Sequence, residues 1–138
     1  MTDSQHIAAT ITQLLGGHHS VRITSEGSMA LCIETIGSSP DGTPLISLAH
    51  YGVQNEDLMA DPEMTFELYT DASLAEPLTY RNDSVGRMQE VYEYSPRGNT
   101  SRVRPRLKKE LRRFAVLWVR NLKAQGFLSE PAVRKTRS

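Results

Sequence analysis

The sequence predicts one α+β domain, in which a twisted antiparallel sheet of five or six strands is flanked by an N-terminal helix and a long amphipathic C-terminal helix. The length of 138 residues fits a single hydrophobic core. Six short strand-like runs are separated by segments too short for crossover helices, which indicates hairpin connections. Helical periodicity occurs only near the two ends of the chain. We therefore expect one domain over residues 1–128 and a basic, flexible tail over residues 129–138.

The first predicted element is a helix near residues 5–15. Ser4 is a candidate N-cap, and Gly16-Gly17 is a typical helix end. Five apolar residues between them recur at helical spacing, namely Ile7, Ala8, Ile11, Leu14 and Leu15. This spacing places them on one face, which we expect to pack against the sheet.

Six runs with strand-like composition follow the first helix, and turn-rich segments such as 37–42 and 81–86 separate them. The runs are residues 20–24, 30–35, 45–51, 64–70, 74–80 and 88–94. Pro77 has no backbone N–H to donate, so its strand is expected to lie at a sheet edge or to contain a bulge.

The last predicted element is a helix near residues 106–125, which begins after Pro105 and ends before Gly126. Its apolar residues recur at spacings of three and four, and they are Leu107, Leu111, Phe114, Trp118 and Leu122. We expect this stripe to pack on the sheet, so that the basic side of the helix faces solvent.

The formal net charge of zero hides a strong division along the chain. Residues 97–138 contain thirteen of the sixteen Lys and Arg but two of the sixteen Asp and Glu, so they carry +11 and residues 1–96 carry −11. This asymmetry fits nucleic acid, another charged partner, or neutralisation within the fold or across a homodimer. The residues that we expect to bind a polyanion are Arg97, Arg102, Arg104, Arg106, Lys109, Arg112, Arg113, Arg120 and Lys123.

The segment HYGVQNEDLMADPEMTFEL, residues 50–68, places several carboxylates before an alternating strand pattern. Converging oxygen ligands suit a hard cation, and the candidate ligands are His50, Asp57, Asp61 and Glu63. Their spacing matches neither the calcium loop nor a paired-histidine zinc motif. The other interpretation is a turn capped by Asn55 or Asp57, with Asp61 before Pro62 starting the strand. The metal site is the basis of an alternative function, a small metal-assisted hydrolase.

Other sequence features exclude several function classes. The chain has no nucleophile elbow, phosphate-binding glycine loop, dinucleotide fingerprint or paired-cysteine motif, so no catalytic residue and no cofactor are predicted. His50 is in phase with Ile46 and Leu48, which favours a hydrogen-bonded histidine in the core or at its boundary. The single Cys32 excludes an internal disulfide. Because there is no long apolar run and no signal-like N-terminus, we expect a cytoplasmic protein with no membrane segment.

Two stretches, ISLAHYGVQNEDLMADPEMTFEL and EPLTYRNDSVGRMQEVY, also carry a resemblance to a known family. Their most specific parts are residues 55–57, Asp61-Pro62-Glu63-Met64 and the turn from Asn82-Asp83 to Gly86. Over roughly residues 29–95 the chain resembles an uncharacterised family of small bacterial proteins carried on plasmids and integrative mobile elements. The resemblance implies no activity and no site residues.

The resemblance and the charge division together predict a non-enzymatic accessory protein of a bacterial mobile element. We expect it to bind nucleic acid or a host protein through its basic C-terminal segment and its acidic body. A homodimer is compatible with the same charge division.

Overall fold

The computed structural model describes residues 1–54, 56–94 and 101–137. Its helices and strands, in chain order, are α1 (Asp3–Leu15), β1 (Ser20–Thr24), β2 (Leu31–Ser38), β3 (Pro44–Gln54), β4 (Asp57–Tyr69), β5 (Leu74–Asn82), β6 (Arg87–Glu90), β7 (Tyr92–Tyr94), β8 (Ser101–Val103), α2 (Pro105–Ala124) and β9 (Val133–Arg137). A 3₁₀ turn, Asp83–Val85, joins β5 to β6. The α+β class with a helix at each end is confirmed.

The main sheet contains seven strands, more than the five or six predicted. Their order is β6-β5-β4-β3-β2-β1-β9, and every neighbouring pair is antiparallel. Strands β1 to β6 therefore form a meander joined by short connections, as the spacing of the turn-rich segments predicted. A separate two-stranded sheet pairs β7 with β8.

Alternating side chains divide the sheet into two faces, which β4 illustrates. Met64, Phe66 and Leu68 are buried, whereas Glu63, Thr65 and Glu67, which alternate with them, point to the other face. The buried strand residues form one cluster with the apolar faces of α1 and α2. Both helices thus cover the same face and the core lies between two layers, which leaves the opposite face of the sheet, here called the open face, without a covering helix.

Helix α1 starts with a capping box, in which the Thr2 hydroxyl accepts from the Gln5 N–H and the Gln5 side chain accepts from the Thr2 N–H. It ends at Gly16, whose φ of 58° is the left-handed conformation that glycine adopts without steric cost. Ser4, the predicted N-cap, is the second residue of the helix, and its side chain is buried against the sheet.

Pro77 lies beside a β-bulge in its own strand, as predicted, because Leu78 is an extra residue between Pro77 and Thr79. The register of β4 and β5 shifts between Thr65 and Phe66, where Phe66 pairs with Pro77. Because β5 lies between β4 and β6, the bulge rather than an edge position accommodates the proline.

The predicted strand at residues 88–94 is divided in the structure. Its N-terminal part is β6 of the main sheet, and its C-terminal part is β7, which pairs with the unpredicted β8. Val91 lies between the two parts, fully buried, and its N–H donates to the carbonyl of Leu78. The chain changes sheets at this residue, which short-range alternation does not reveal.

Residues 133–137 were predicted to belong to a flexible tail, and here the structure differs. They form β9, which pairs along its whole length with β1 at the edge of the main sheet. All five side chains are exposed, so the strand is held by backbone pairing and contributes no apolar pattern. The Arg134 guanidinium also donates to the carbonyl of Phe127, a buried residue that follows α2.

Helix α2 has Pro105 in its first turn and packs on the sheet through Leu111, Trp118 and Leu122, in agreement with the prediction. Phe114, predicted to lie in the same stripe, is 38% exposed at its margin. Its ring packs edge-on against Tyr80, with 5.3 Å between the centroids. Within the described part of the chain, neither helix combines the length and the apolar character needed to cross a membrane.

Candidate functional site

The side of α2 that faces solvent carries five basic residues, here called the basic ridge: Arg106, Lys109, Arg113, Arg120 and Lys123. All five are exposed, and none forms an ion pair within the residues that the structure describes. They span seventeen helical positions, which corresponds to about 25 Å along the helix axis.

The ridge faces outward because the opposite side of α2 is anchored in the core. Ala115, Trp118 and Leu122 are buried, so positions about half a turn away must point to solvent. Glu110 and the exposed Leu117 interrupt the basic residues along this side. The result is a rigidly held row of cations with one carboxylate on the same helix.

Arg112 is the clearest departure from the predicted set. Its guanidinium does not face solvent with its neighbours but donates to Oε2 of Glu76 on β5, at 2.6 Å. Arg104 is engaged as well, because it donates to the carbonyl of Glu90 at 2.8 Å and to the Glu93 carboxylate at 3.2 Å. Arg102 is exposed on β8. Arg97 lies outside the described residues.

Glu76 is the centre of a polar network that joins both helices to the sheet. It accepts from the Ser4 hydroxyl of α1 at 2.6 Å as well as from Arg112, and the Lys108 ammonium lies 3.8 Å away. Burial alone would raise the pKa of Glu76, but the hydrogen bonds from Ser4 and Arg112 and the nearby positive charges outweigh it and lower the pKa. No local sequence pattern predicts this network, because its partners are 72 and 36 positions apart along the chain.

The four proposed metal ligands do not converge. Residues 50–63 form a β-hairpin rather than a loop, since β3 and β4 pair up to Gln54 and Asp57. His50 points into the core, where its Nδ1 lies 3.1 Å from the carbonyl of Ala30 and its ring packs against Trp118 and Phe127. The prediction of a hydrogen-bonded core histidine is therefore confirmed.

The three carboxylates occupy separate positions on β4. Asp57 is exposed at the start of the strand, Asp61 accepts from the Asn82 amide at 3.3 Å, and Glu63 accepts from the Tyr51 hydroxyl on the open face at 2.6 Å. In residues 1–54, 56–94 and 101–137 no group of three or more His, Cys, Asp or Glu side chains is arranged to hold a metal ion. The metal-assisted alternative thus lacks a geometric centre at this segment. Asn55, the other proposed turn cap, lies outside the described residues.

The two stretches that carry the family resemblance meet in space. The Asp83 carboxylate accepts from the Arg81 guanidinium at 2.7 Å and from the Ala60 N–H at 2.8 Å, and Asn82 reaches Asp61. The hydrogen bond from Arg81 and the one from the Ala60 N–H lower the pKa of Asp83. These residues therefore hold the turn after β5 against the irregular part of β4, which is a structural role.

Comparison with known proteins identifies a family for this chain. A family model described as "Domain of unknown function (DUF6908)" matches residues 5–128. The match includes both helices, which the resemblance over residues 29–95 left out. No curated protein and no solved structure matches the chain. Since the match spans most of the chain, the protein belongs to the DUF6908 family of domains of unknown function.

Proposed function

We propose that this protein is a non-enzymatic accessory protein of a bacterial mobile element that binds nucleic acid through the basic ridge. The observation that carries the proposal is the ridge itself, five exposed cations in a row about 25 Å long on a helix anchored in the core. A rigid row of Lys and Arg matches the repeating negative charge of a phosphate backbone.

Among the residues that the structure describes, no acidic side chain forms an ion pair with this row. The ion pairs of α2 and its approach involve Arg104, Lys108 and Arg112, which are not ridge residues. The ridge cations therefore remain available to an external polyanion. Because these contacts are made to phosphates rather than to base edges, the proposed binding has little sequence preference.

The proposed association with mobile DNA rests on the resemblance of the two quoted stretches. This association implies a cytoplasmic location. The alternative partner is a basic host protein that the acidic body would bind. We favour nucleic acid because the ridge is long, nearly uniform in charge and short of the large aromatic side chains that anchor most protein–protein interfaces.

The test is a salt titration of binding to unrelated DNA and RNA, measured by fluorescence anisotropy with the full chain. Four or five phosphate contacts give a slope of log K against log salt of about −3.5 to −4.5 for duplexes, and a shallower slope for single strands. The Arg113→Ala/Arg120→Ala double variant should weaken binding to every sequence and make the slope shallower by about two units.

A matched control is the Lys135→Ala/Arg137→Ala double variant, which removes the same charge from exposed positions of β9. The control should leave the slope nearly unchanged, because those residues lie at the sheet edge and not on α2. Equal losses in the two double variants would mean that net charge, not the ridge, is responsible. Absence of binding to any nucleic acid at about 50 mM salt would refute the proposal.

A further inference from the structure

The open face of the sheet is hollowed by a groove of about 540 Å³ that lies along β2 and β3. Apolar side chains stand at its two ends. Val53 and Leu58, a cross-strand pair on the β3–β4 hairpin, are 75% and 65% exposed, and Ile36 at the other end of β2 is 49% exposed. Large apolar side chains gathered along one groove are typical of a surface that another protein covers.

The middle of the groove is polar and carries three charged side chains, Arg22, Glu34 and Glu63, of which Arg22 and Glu63 are arranged symmetrically. The strand register places Arg22, Cys32, Ala49 and Glu63 side by side on β1, β2, β3 and β4. Arg22 and Glu63 are therefore equally far, about 7 Å, from the line between β2 and β3. Arg22 is exposed and forms no ion pair within the part of the chain that the structure describes.

We propose that the open face is the interface of a homodimer, in which a second copy packs face to face about a two-fold axis that runs parallel to the strands between β2 and β3. This axis exchanges the two sides of the groove, so Arg22 of each copy lies against Glu63 of the other. The same axis brings Val53 of β3 against Val53 and Ile36 of β2 against Ile36, because these two strands lie next to the axis, whereas Leu58 on β4 flanks this contact. The two sheets then pack as an aligned sandwich about 10 Å apart.

A second copy fits better than a partner of one charge, because the groove carries both signs of charge and the axis exchanges Arg22 with Glu63. Glu34 lies opposite Ser47 on the neighbouring strand, so the same axis places it over Ser47 of the other copy. The Glu63 carboxylate is also fixed in place by the Tyr51 hydroxyl, which lowers the cost of ordering it in an interface. The proposal is independent of nucleic-acid binding, since the basic ridge lies on the helical layer and stays exposed on the outer side of each copy.

The first measurement is the mass of the full chain in solution, by sedimentation equilibrium and light scattering across a concentration series. We expect a reversible species of twice the 15.4 kDa chain mass. Arg22→Glu and Glu63→Arg should each raise the dimer dissociation constant by about 10-fold or more, because each places like charges together twice. The Arg22→Glu/Glu63→Arg double variant should restore most of the affinity.

A second pair of variants tests the apolar ends against a matched control. Val53→Asp should also weaken the dimer by about 10-fold or more, since it places two carboxylates at the two-fold contact. Leu117→Asp makes the same kind of change at an apolar residue of α2 that is 58% exposed, and it should leave the mass unchanged. Circular dichroism melting verifies the fold of each variant; if loss of the Tyr51 contact unfolds Glu63→Arg, then Arg22→Glu and Val53→Asp decide the question.

Three results overturn the proposal. One is a chain that stays monomeric at every concentration, which would mean that the groove binds a different protein and not a second copy. Another is a dimer that none of the open-face variants weakens. The third is a well-folded charge-exchanged double variant that dimerises no better than the single variants.

Discussion

Replacement of Arg112 by alanine is expected to destabilise the fold, although the sequence placed this residue among the solvent-facing cations. In the structure it connects α2 to β5 through Glu76, at 2.6 Å. Truncation removes the guanidinium and leaves a Glu76 side chain that is only 17% exposed with the Ser4 hydroxyl as its remaining hydrogen-bond donor. The change therefore affects the junction of both helices with the sheet.

The size of the expected stability loss follows from the environment of the Arg112–Glu76 ion pair. A hydrogen bond to a charged group contributes about 1.5–3 kcal/mol, and we take the lower part of that range because Arg112 is partly exposed and Lys108, 3.8 Å from Glu76, takes over part of its role. The expected loss is about 1.5–2 kcal/mol in the free energy of unfolding. For a chain of this length, that loss lowers Tm by about 5–7 °C.

The loss should also depend on pH with a defined sign. The pKa of folded Glu76 is held below its ordinary value of 4.5, so its ionised form stabilises the fold fully above that value. The contribution disappears as the pH falls through the folded pKa, because the carboxyl group becomes protonated. The difference between the wild type and Arg112→Ala is therefore largest near neutral pH and shrinks below 4.5.

Urea unfolding followed by circular dichroism at several pH values measures both quantities. Arg113→Ala is the natural control, since it makes the same change at the adjacent exposed position and should cost less than about 0.5 kcal/mol. A loss from Arg112→Ala below about 0.5 kcal/mol, or a loss that is the same at pH 4 and pH 7, would show that the network around Glu76 does not act as described.

Two further predictions concern the core and the acidic hairpin. Trp118→Ala should cost about 3–5 kcal/mol, because the ring is buried between α2 and His50 on the sheet; a loss below about 1 kcal/mol would show that the helix is docked elsewhere. Calorimetric titration with Mg²⁺, Ca²⁺, Mn²⁺ or Zn²⁺ should show no saturable binding that Asp61→Asn removes, because Asp61, His50 and Glu63 face different surroundings. A micromolar site lost in that variant would revive the metal-assisted alternative.

Most of the fold was accessible from local sequence patterns. The two helices were predicted because Ile7, Ile11 and Leu14, and Leu111, Trp118 and Leu122, repeat at helical spacing and are bounded by Gly16 and Pro105. The meander was predicted because turn-rich segments separate the strand-like runs too closely for crossover helices. These features depend on residues within a few positions of one another.

The strands that were predicted wrongly share a cause. Each depends on pairing with residues that lie far away in the sequence. Residues 133–137 look like a tail because all their side chains are exposed, and only the free edge of β1 makes them a strand. The segment 88–94 contains one continuous strand pattern, but residues 88–90 pair with β5 and residues 92–94 pair with β8. Neither partner can be identified from the alternation of the segment itself.

The basic side of α2 was also only partly predictable from local sequence patterns. Local sequence patterns were sufficient to predict a basic amphipathic helix near the C-terminal end of the domain, because charge and the 3.6-residue period are local properties. It did not distinguish Arg112 from Arg113, two adjacent arginines at the edge of the same basic face. Only the tertiary structure brought Ser4 and Glu76 to Arg112 and left Arg113 in solvent, since adjacent residues point about 100° apart and the orientation of the helix on the sheet decides which of them is paired.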